Sequence, residues 1–318
     1  MVVARLTVES VSSYTPERVV SVDATAGRLG LSRAKVKVFR RVHGLDRLRF
    51  AGDTGIVDLV AKPAARLVDS LDDPSRIRYL VYAHTIQEVA PSHIDVAGEL
   101  AARLGLRDAL SFALTQQNCA SGLAAIMTCG ELLAADNEPG ALALVVTGEK
   151  AFTPMVQLIP NTTIMGDASA ACVVSLSGNG DRIVGYSSRT DGRYADGIRL
   201  EPQRQAEFGA EYPPRLAETV LSAVSSAGLT LADIALVVPH NVNLSSWRRV
   251  IELLGVGTDD VFLDNIAEYS HCFCSDPFLN YTHLRDQGRL ERGGHYVLTA
   301  VGLGATYAAM VLRHGEVT

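Results

Sequence analysis

The sequence predicts an α/β fold built in two similar halves. Three observations carry that prediction. Short apolar runs at 78–83, 140–148 and 233–240 alternate with stretches of helical periodicity, the pattern of layered strands and helices. The run at 140–148 is apolar on both faces, as in a strand covered on each side. Each half also carries a strand, then a reactive residue, then a helix, with Cys119 in the first half and His240 in the second, which suggests duplication.

In chain order, residues 2–8 alternate and read as a first strand. Residues 14–20 turn at Pro16 into an extended piece, and 23–50 are rich in Arg and Lys, helical in parts, ending in a turn at Gly44. Val57, Leu59, Val60, Ala64, Leu67 and Val68 give 54–71 a helical stripe. Residues 94–104 form an amphipathic helix closed by Gly105. An apolar approach at 110–114 leads to Cys119, and a small-residue helix follows to about Asp136. Residues 166–176 run from a tight turn into a strand. Turn formers at 177–181 mark a seam, dividing the chain into 1–177 and 178–318. The second half restarts with a strand at 182–188 and a helix around 212–227. Strand 233–240 ends at His240, a helix covers 244–255, strand 296–304 enters a Gly turn, and 305–313 closes the chain.

The bulk numbers bound the function. A chain of 318 residues that is 47% hydrophobic can bury a sizeable core. A net charge of −6 gives no basic footprint for nucleic acid and does not favour an anionic membrane. The five cysteines, at 119, 129, 172, 272 and 274, show no metal spacing, and Cys272-Phe273-Cys274 is a poor metal pair, so we expect free thiols in a reducing cytoplasm and no metal site. The N-terminus is strand-like rather than a signal peptide. No apolar run reaches about 18 residues without charge, so no membrane span is expected.

The chemistry centres on Gln117-Asn118-Cys119-Ala120-Ser121-Gly122. A thiol at a helix start meets the positive end of the helix dipole and free N–H groups, which favour the attacking thiolate. Ala120, Ser121 and Gly122 are small enough to let an acyl group approach the sulfur. Standing alone, a Cys beside Ala and Gly is more often a buried packing residue.

Four stretches alter that balance: QQNCASG, IMGDASAACVV, VVPHNVN and AVGLGATYAAMVL. In this order they resemble the ketoacyl-ACP synthase III branch of the thiolase superfamily, over nearly the whole length, including SYTPERVV and the turn at 42–45. The resemblance implies a thiolase-like fold, with two duplicated α/β halves forming a five-layered αβαβα sandwich. It implies an acyl-Cys119 thioester, an oxyanion hole at the N–H groups of Cys119 and Gly304, and His240 projecting into the pocket. It implies no bound cofactor, acyl-ACP or acyl-CoA as donor, and a homodimer whose contact lies near 143–147. In this family Gly166-Asp167 supports the core, so Asp167 is not placed in the chemistry.

The sequence also departs from the family. Where an Asn normally follows a Tyr-Gly pair, this chain has Tyr269-Ser270-His271. A Cys119–His240–His271 set is similar to the elongating ketoacyl synthases, which decarboxylate malonyl groups. Alternatively, Asp276 pairs with a His to give a Cys-His-Asp arrangement suited to deprotonating a hydroxyl or amine, or is only an acidic residue at a helix start. The family's carrier-binding Arg is Ser245 here, with Arg248 and Arg249 a turn later, so Asn243, Arg248 and Arg249 become the candidates for substrate or carrier binding. The coenzyme A Arg is replaced by Ile159, and the early clamp Trp is absent from 35–41. These losses resemble synthase III-like acyltransferases of secondary metabolism, which acylate a small hydroxyl or amine acceptor. Decarboxylative condensation with a malonyl thioester is the alternative. A non-catalytic partner subunit is a third reading, against which the intact Cys119 argues. Phe152, Met155, Ile94 and Phe208 are the candidate tunnel residues.

Overall fold

The computed structural model describes residues 6–315. The expected strand at 2–8 lies partly outside them, and the first strand, β1, is Thr7–Tyr14. Eight more strands complete the main sheet: β2 Ile77–Ala83, β3 Leu110–Leu114, β4 Leu142–Glu149, β5 Ala168–Ser175, β6 Asp181–Thr190, β7 Ile234–Val238, β8 His295–Gly302 and β9 Thr306–Arg313. The principal helices are α1 Arg33–Arg41, α2 Ile56–Asp69, α3 Val96–Arg103, α4 Ser121–Asp136, α5 Pro202–Ser226, α6 Leu244–Leu254 and α7 Asp276–Asp286.

The strand order is β7-β8-β9-β6-β1-β5-β4-β2-β3. One connectivity occurs twice. In each limb a first strand lies beside the last, and the last runs antiparallel to the third. The third runs parallel to the second. The first limb adds β3 at its edge. Among the described residues, the limbs of the sheet join only where β1 meets β6, through Thr7–Arg182 and Val8–Asp181. The two halves therefore share one sheet that folds over at this join.

The side chains sort into layers because strand residues alternate in direction. Tyr79, Val81 and Ala83 of β2 share a cluster with Leu298 and Ala300 of β8 and with Leu123 and Ile126 of α4 and Tyr281 and Leu284 of α7. Helices α4 and α7 are thus sandwiched between the limbs. The alternate residues Leu80, Tyr82 and Leu144 face α2 and α3. Val237, Val297 and Val311 face α5 and α6. The result is the five-layered αβαβα sandwich of the thiolase fold. The segment Asn118–Asp136 is long and apolar enough by composition to cross a membrane, but it forms this central layer.

Helix α5 differs from the sequence reading. Pro213 and Pro214 suggest a start near 212, yet the helix begins at Pro202 and runs through both. A proline inside a helix costs about 3 kcal/mol. Burial of Tyr212, Leu216 and Val220 against the second limb offsets it. The expected subunit contact at 143–147 is also corrected. Those residues are fully buried within one chain, with β4 paired on both sides. The open edge is β3, where Leu110 is 61% exposed.

Candidate active site

Cys119 sits on a single tight turn, Asn118–Ala120, that feeds directly into α4. The chain reaches it through Gln116 and Asn118, both at positive φ, a sharp approach that Asn tolerates far better than Gln. The turn presses against the end of β8. A Cβ on Gly302 would lie 1.9 Å from the Gln117 carbonyl oxygen, so only glycine fits there. Asn118 Nδ2 donates to the Leu303 carbonyl, tying the nucleophile turn to the one carrying Gly304. Gly304 has φ +100°, a conformation that favours glycine. The proposed oxyanion donors therefore belong to two turns fastened together.

The third position resolves clearly. His271 Nε2 lies 3.3 Å from Cys119 Sγ, and His271 Nδ1 bonds Asp276 Oδ2. The His271 backbone is fixed by its bridge to Met165: its N–H donates to Ile164 O, and its carbonyl accepts from Gly166 N–H. Asp276 is the first residue of α7 and wholly buried. Its carboxylate also accepts from the N–H groups of Cys272 at 2.7 Å and Asn241 at 2.6 Å. With a further, longer bond from Asn241 Nδ2, this buried carboxylate is compensated by four donors and held in one geometry. Burial alone lowers the His271 pKa, but the charges of Asp276 and Cys119 outweigh it and raise the pKa to about 10. Of the two arrangements left open by the sequence, the hydrogen bonds directly connect Cys119, His271 and Asp276.

His240 follows β7 and faces the same cavity, with its ring 5.8 Å from that of His271. Its Nε2 meets the Tyr212 hydroxyl at 2.7 Å, and its carbonyl accepts from Trp247 Nε1 at 2.9 Å. Burial, and then the charge on His271, hold its pKa well below the usual imidazole value. The cavity, of about 140 Å³, brings together Cys119, His240 and His271 with apolar walls that include Ile159, Val301 and Leu303.

Other expected residues lie differently. Asn243 caps α6: Oδ1 accepts from Ser246 N–H and from Ser245 Oγ, and Nδ2 donates to Thr162 O. Its polar atoms are committed to positioning that helix, which corrects its expected role in binding. Arg248 and Arg249 are exposed on α6, outside the cavity. Phe208 lines the cavity, but Ile94 and Phe152 border a separate surface groove and Met155 is 71% exposed. Asp167 accepts from Ala51 N–H and Ala151 N–H, both at 2.7 Å, and braces two loops.

Sequence reasoning missed Tyr212, Asn241 and Asn280. Asn280 donates to Pro239 O and Asn241 Oδ1, completing the network behind Asp276. One signal was present: Asp276 and Asn280 stand four residues apart on one helix, on the same face. Tyr212 had none, since the adjacent prolines conceal its helix.

A cysteine at a central helix start, backed by His and Asp inside a five-layered sandwich, defines a thiolase-fold protein with a buried Cys-His-Asp cluster. In sequence the chain is similar to ketoacyl-ACP synthase III proteins. Residues 224–314 match the 3-oxoacyl-[acyl-carrier-protein] synthase III C-terminal family. A beta-ketoacyl-[acyl-carrier-protein] synthase III of Pseudomonas aeruginosa is 26% identical, covering 95% of this chain and 94% of its own. The acyltransferase ChlB3 superposes with TM-score 0.86 at 22% identity, over 98% of each chain. The crystal structure of 3-oxoacyl-(acyl carrier protein) synthase III from Pseudomonas aeruginosa superposes with TM-score 0.82 at 24% identity, over 99% of each.

Proposed function

We propose that this chain is an acyltransferase that takes an acyl group from an ACP or CoA thioester onto Cys119 and passes it to a hydroxyl or amine acceptor, in secondary metabolism. The observation that carries this reading is His271, one nitrogen on the Cys119 sulfur and the other on Asp276. An imidazolium at the sulfur supports a thiolate for attack on the donor thioester. The tetrahedral oxyanion then falls to the N–H groups of Cys119 and Gly304.

The condensation reading has less behind it. A malonyl donor needs free imidazole nitrogens to hold the enolate that decarboxylation leaves. Here the Nε2 atoms of both histidines are engaged, one by Tyr212 and the other by Cys119, and the unpartnered Nδ1 of His240 is buried. A partner subunit without chemistry has no use for a hydrogen-bonded Cys-His-Asp set.

We place the donor's carrier on a basic face. Helix α1 exposes Arg33, Lys35, Lys37 and Arg41, Leu244 of α6 packs on Gly44 just beyond it, and α6 exposes Arg248 and Arg249. An acidic carrier protein suits this face. The reading includes a cytoplasmic homodimer, for which β3 offers the open edge.

The test is to supply acyl-CoA and malonyl-CoA thioesters with a panel of alcohols and amines. We expect ester or amide formation without release of carbon dioxide. Carbon dioxide release from malonyl thioester, without ester or amide, would sink the proposal.

A further inference from the structure

We infer that Tyr212 is a catalytic residue that relays the acceptor's proton to His240 Nε2. The inference rests on the acyl-transfer reading and adds a step to it.

The geometry assigns the role by elimination. The acceptor must lose a proton as it attacks acyl-Cys119. His271 has one nitrogen on the sulfur and the other on Asp276. Neither nitrogen is free to take that proton. His240 lines the same cavity, but the Tyr212 hydroxyl stands at its Nε2, 2.7 Å away. His240 Nδ1 is unpartnered but buried away from the cavity surface, so a proton bound for Nε2 passes through the Tyr212 oxygen. The pair is rigid. Tyr212 is wedged edge-on against Phe208 and tilted against Tyr307, with ring centroids 6.0 and 6.2 Å away, and the His240 carbonyl is pinned by Trp247. The two histidines also have opposed environments: His271 is pushed up to about 10, while His240 is held neutral, able to accept a proton. In the free enzyme such a split favours one group as the cation and the other as the base.

The step balances. The acceptor oxygen or nitrogen bonds to the acyl carbon, and the carbon–sulfur bond to Cys119 breaks. The acceptor's proton moves to the Tyr212 oxygen as the Tyr212 proton moves to His240 Nε2. Cys119 leaves as thiolate beside the His271 imidazolium. In the next charging step His240 returns the proton, through Tyr212, to the departing donor thiol.

The experiment separates charging from discharge. Wild type and Tyr212→Phe are incubated with acetyl-CoA, butyryl-CoA or benzoyl-CoA and weighed intact to follow the Cys119 adduct. The adduct is then chased with ethanol, water or N-acetylcysteamine. Loss of a positioned proton acceptor slows discharge to ethanol and water by about 100-fold or more. Charging and discharge to the thiol change far less, because a thiol ionises without help. Equal ethanol discharge in the two proteins overturns the relay, and so does an equal fall with ethanol and thiol, which marks a merely structural role. No adduct on wild-type Cys119 overturns the acyl-transfer reading itself, and is distinguished by the failure of charging.

Discussion

At the scale of single residues, Asp276 decides what His271 can do. Asp276→Asn keeps the shape but removes the charge that stabilises the imidazolium. Acylation of Cys119 should fall by about 100- to 10,000-fold, the range seen when a catalytic imidazole loses its partner, as measured by adduct formation over time. The pH dependence follows in sign. His271 is raised in the folded state, to about 10, from an ordinary value near 6.5. Its contribution to stability is fully present below about 6.5 and is lost as pH rises through about 10. Denaturant midpoints across that window should fall more steeply for wild type than for Asp276→Asn. Cys119 and His240 were legible in the sequence from their motifs. The partners that decide the chemistry were less so. Asp276 was visible only as a possibility, because a helix-start carboxylate looks alike whether it faces solvent or a histidine. Tyr212 acts across a long sequence separation, and no local pattern reports that.

At the scale of elements, the site is made where two central helices begin. Helix α4 presents Cys119 just before its first turn, and α7 presents Asp276 as its first residue. Both helices are buried between the limbs, so small shifts in either move the chemistry. Gly302→Ala should displace the Cys119 turn, because the new methyl group meets backbone oxygen rather than a flexible side chain. We expect loss of adduct formation with the circular dichroism spectrum retained. Leu284→Ala on α7 removes a fully buried side chain and should cost about 2–5 kcal/mol, read from urea unfolding. Most elements were legible because period and punctuation agree: Gly105 closes α3, and the apolar runs became β2, β4 and β7. Helix α5 was not, because tertiary burial overrides the two prolines.

At the scale of the whole molecule, the repeated strand order supports dividing the chain into halves, 1–177 and 178–318, which we propose as the two duplicated units. The layered architecture was legible through the four motifs, whereas the continuity of the sheet across β1 and β6 was not, since two residue pairs leave no mark on composition. The open edge at β3 belongs to this scale. An unprotected edge strand invites pairing with a second copy. Sedimentation should give a dimer for the full chain, and Leu110→Lys, which places charge on that edge, should shift it towards monomer.

The account depends most on Cys119 becoming acylated through His271. Intact mass spectrometry after incubation with acyl-CoA thioesters measures this directly, on wild type, Cys119→Ala and His271→Gln. We expect one acyl mass on the wild type, none on Cys119→Ala, and a rate reduced by orders of magnitude in His271→Gln. An adduct that persists in Cys119→Ala, or that forms at the wild-type rate in His271→Gln, contradicts it.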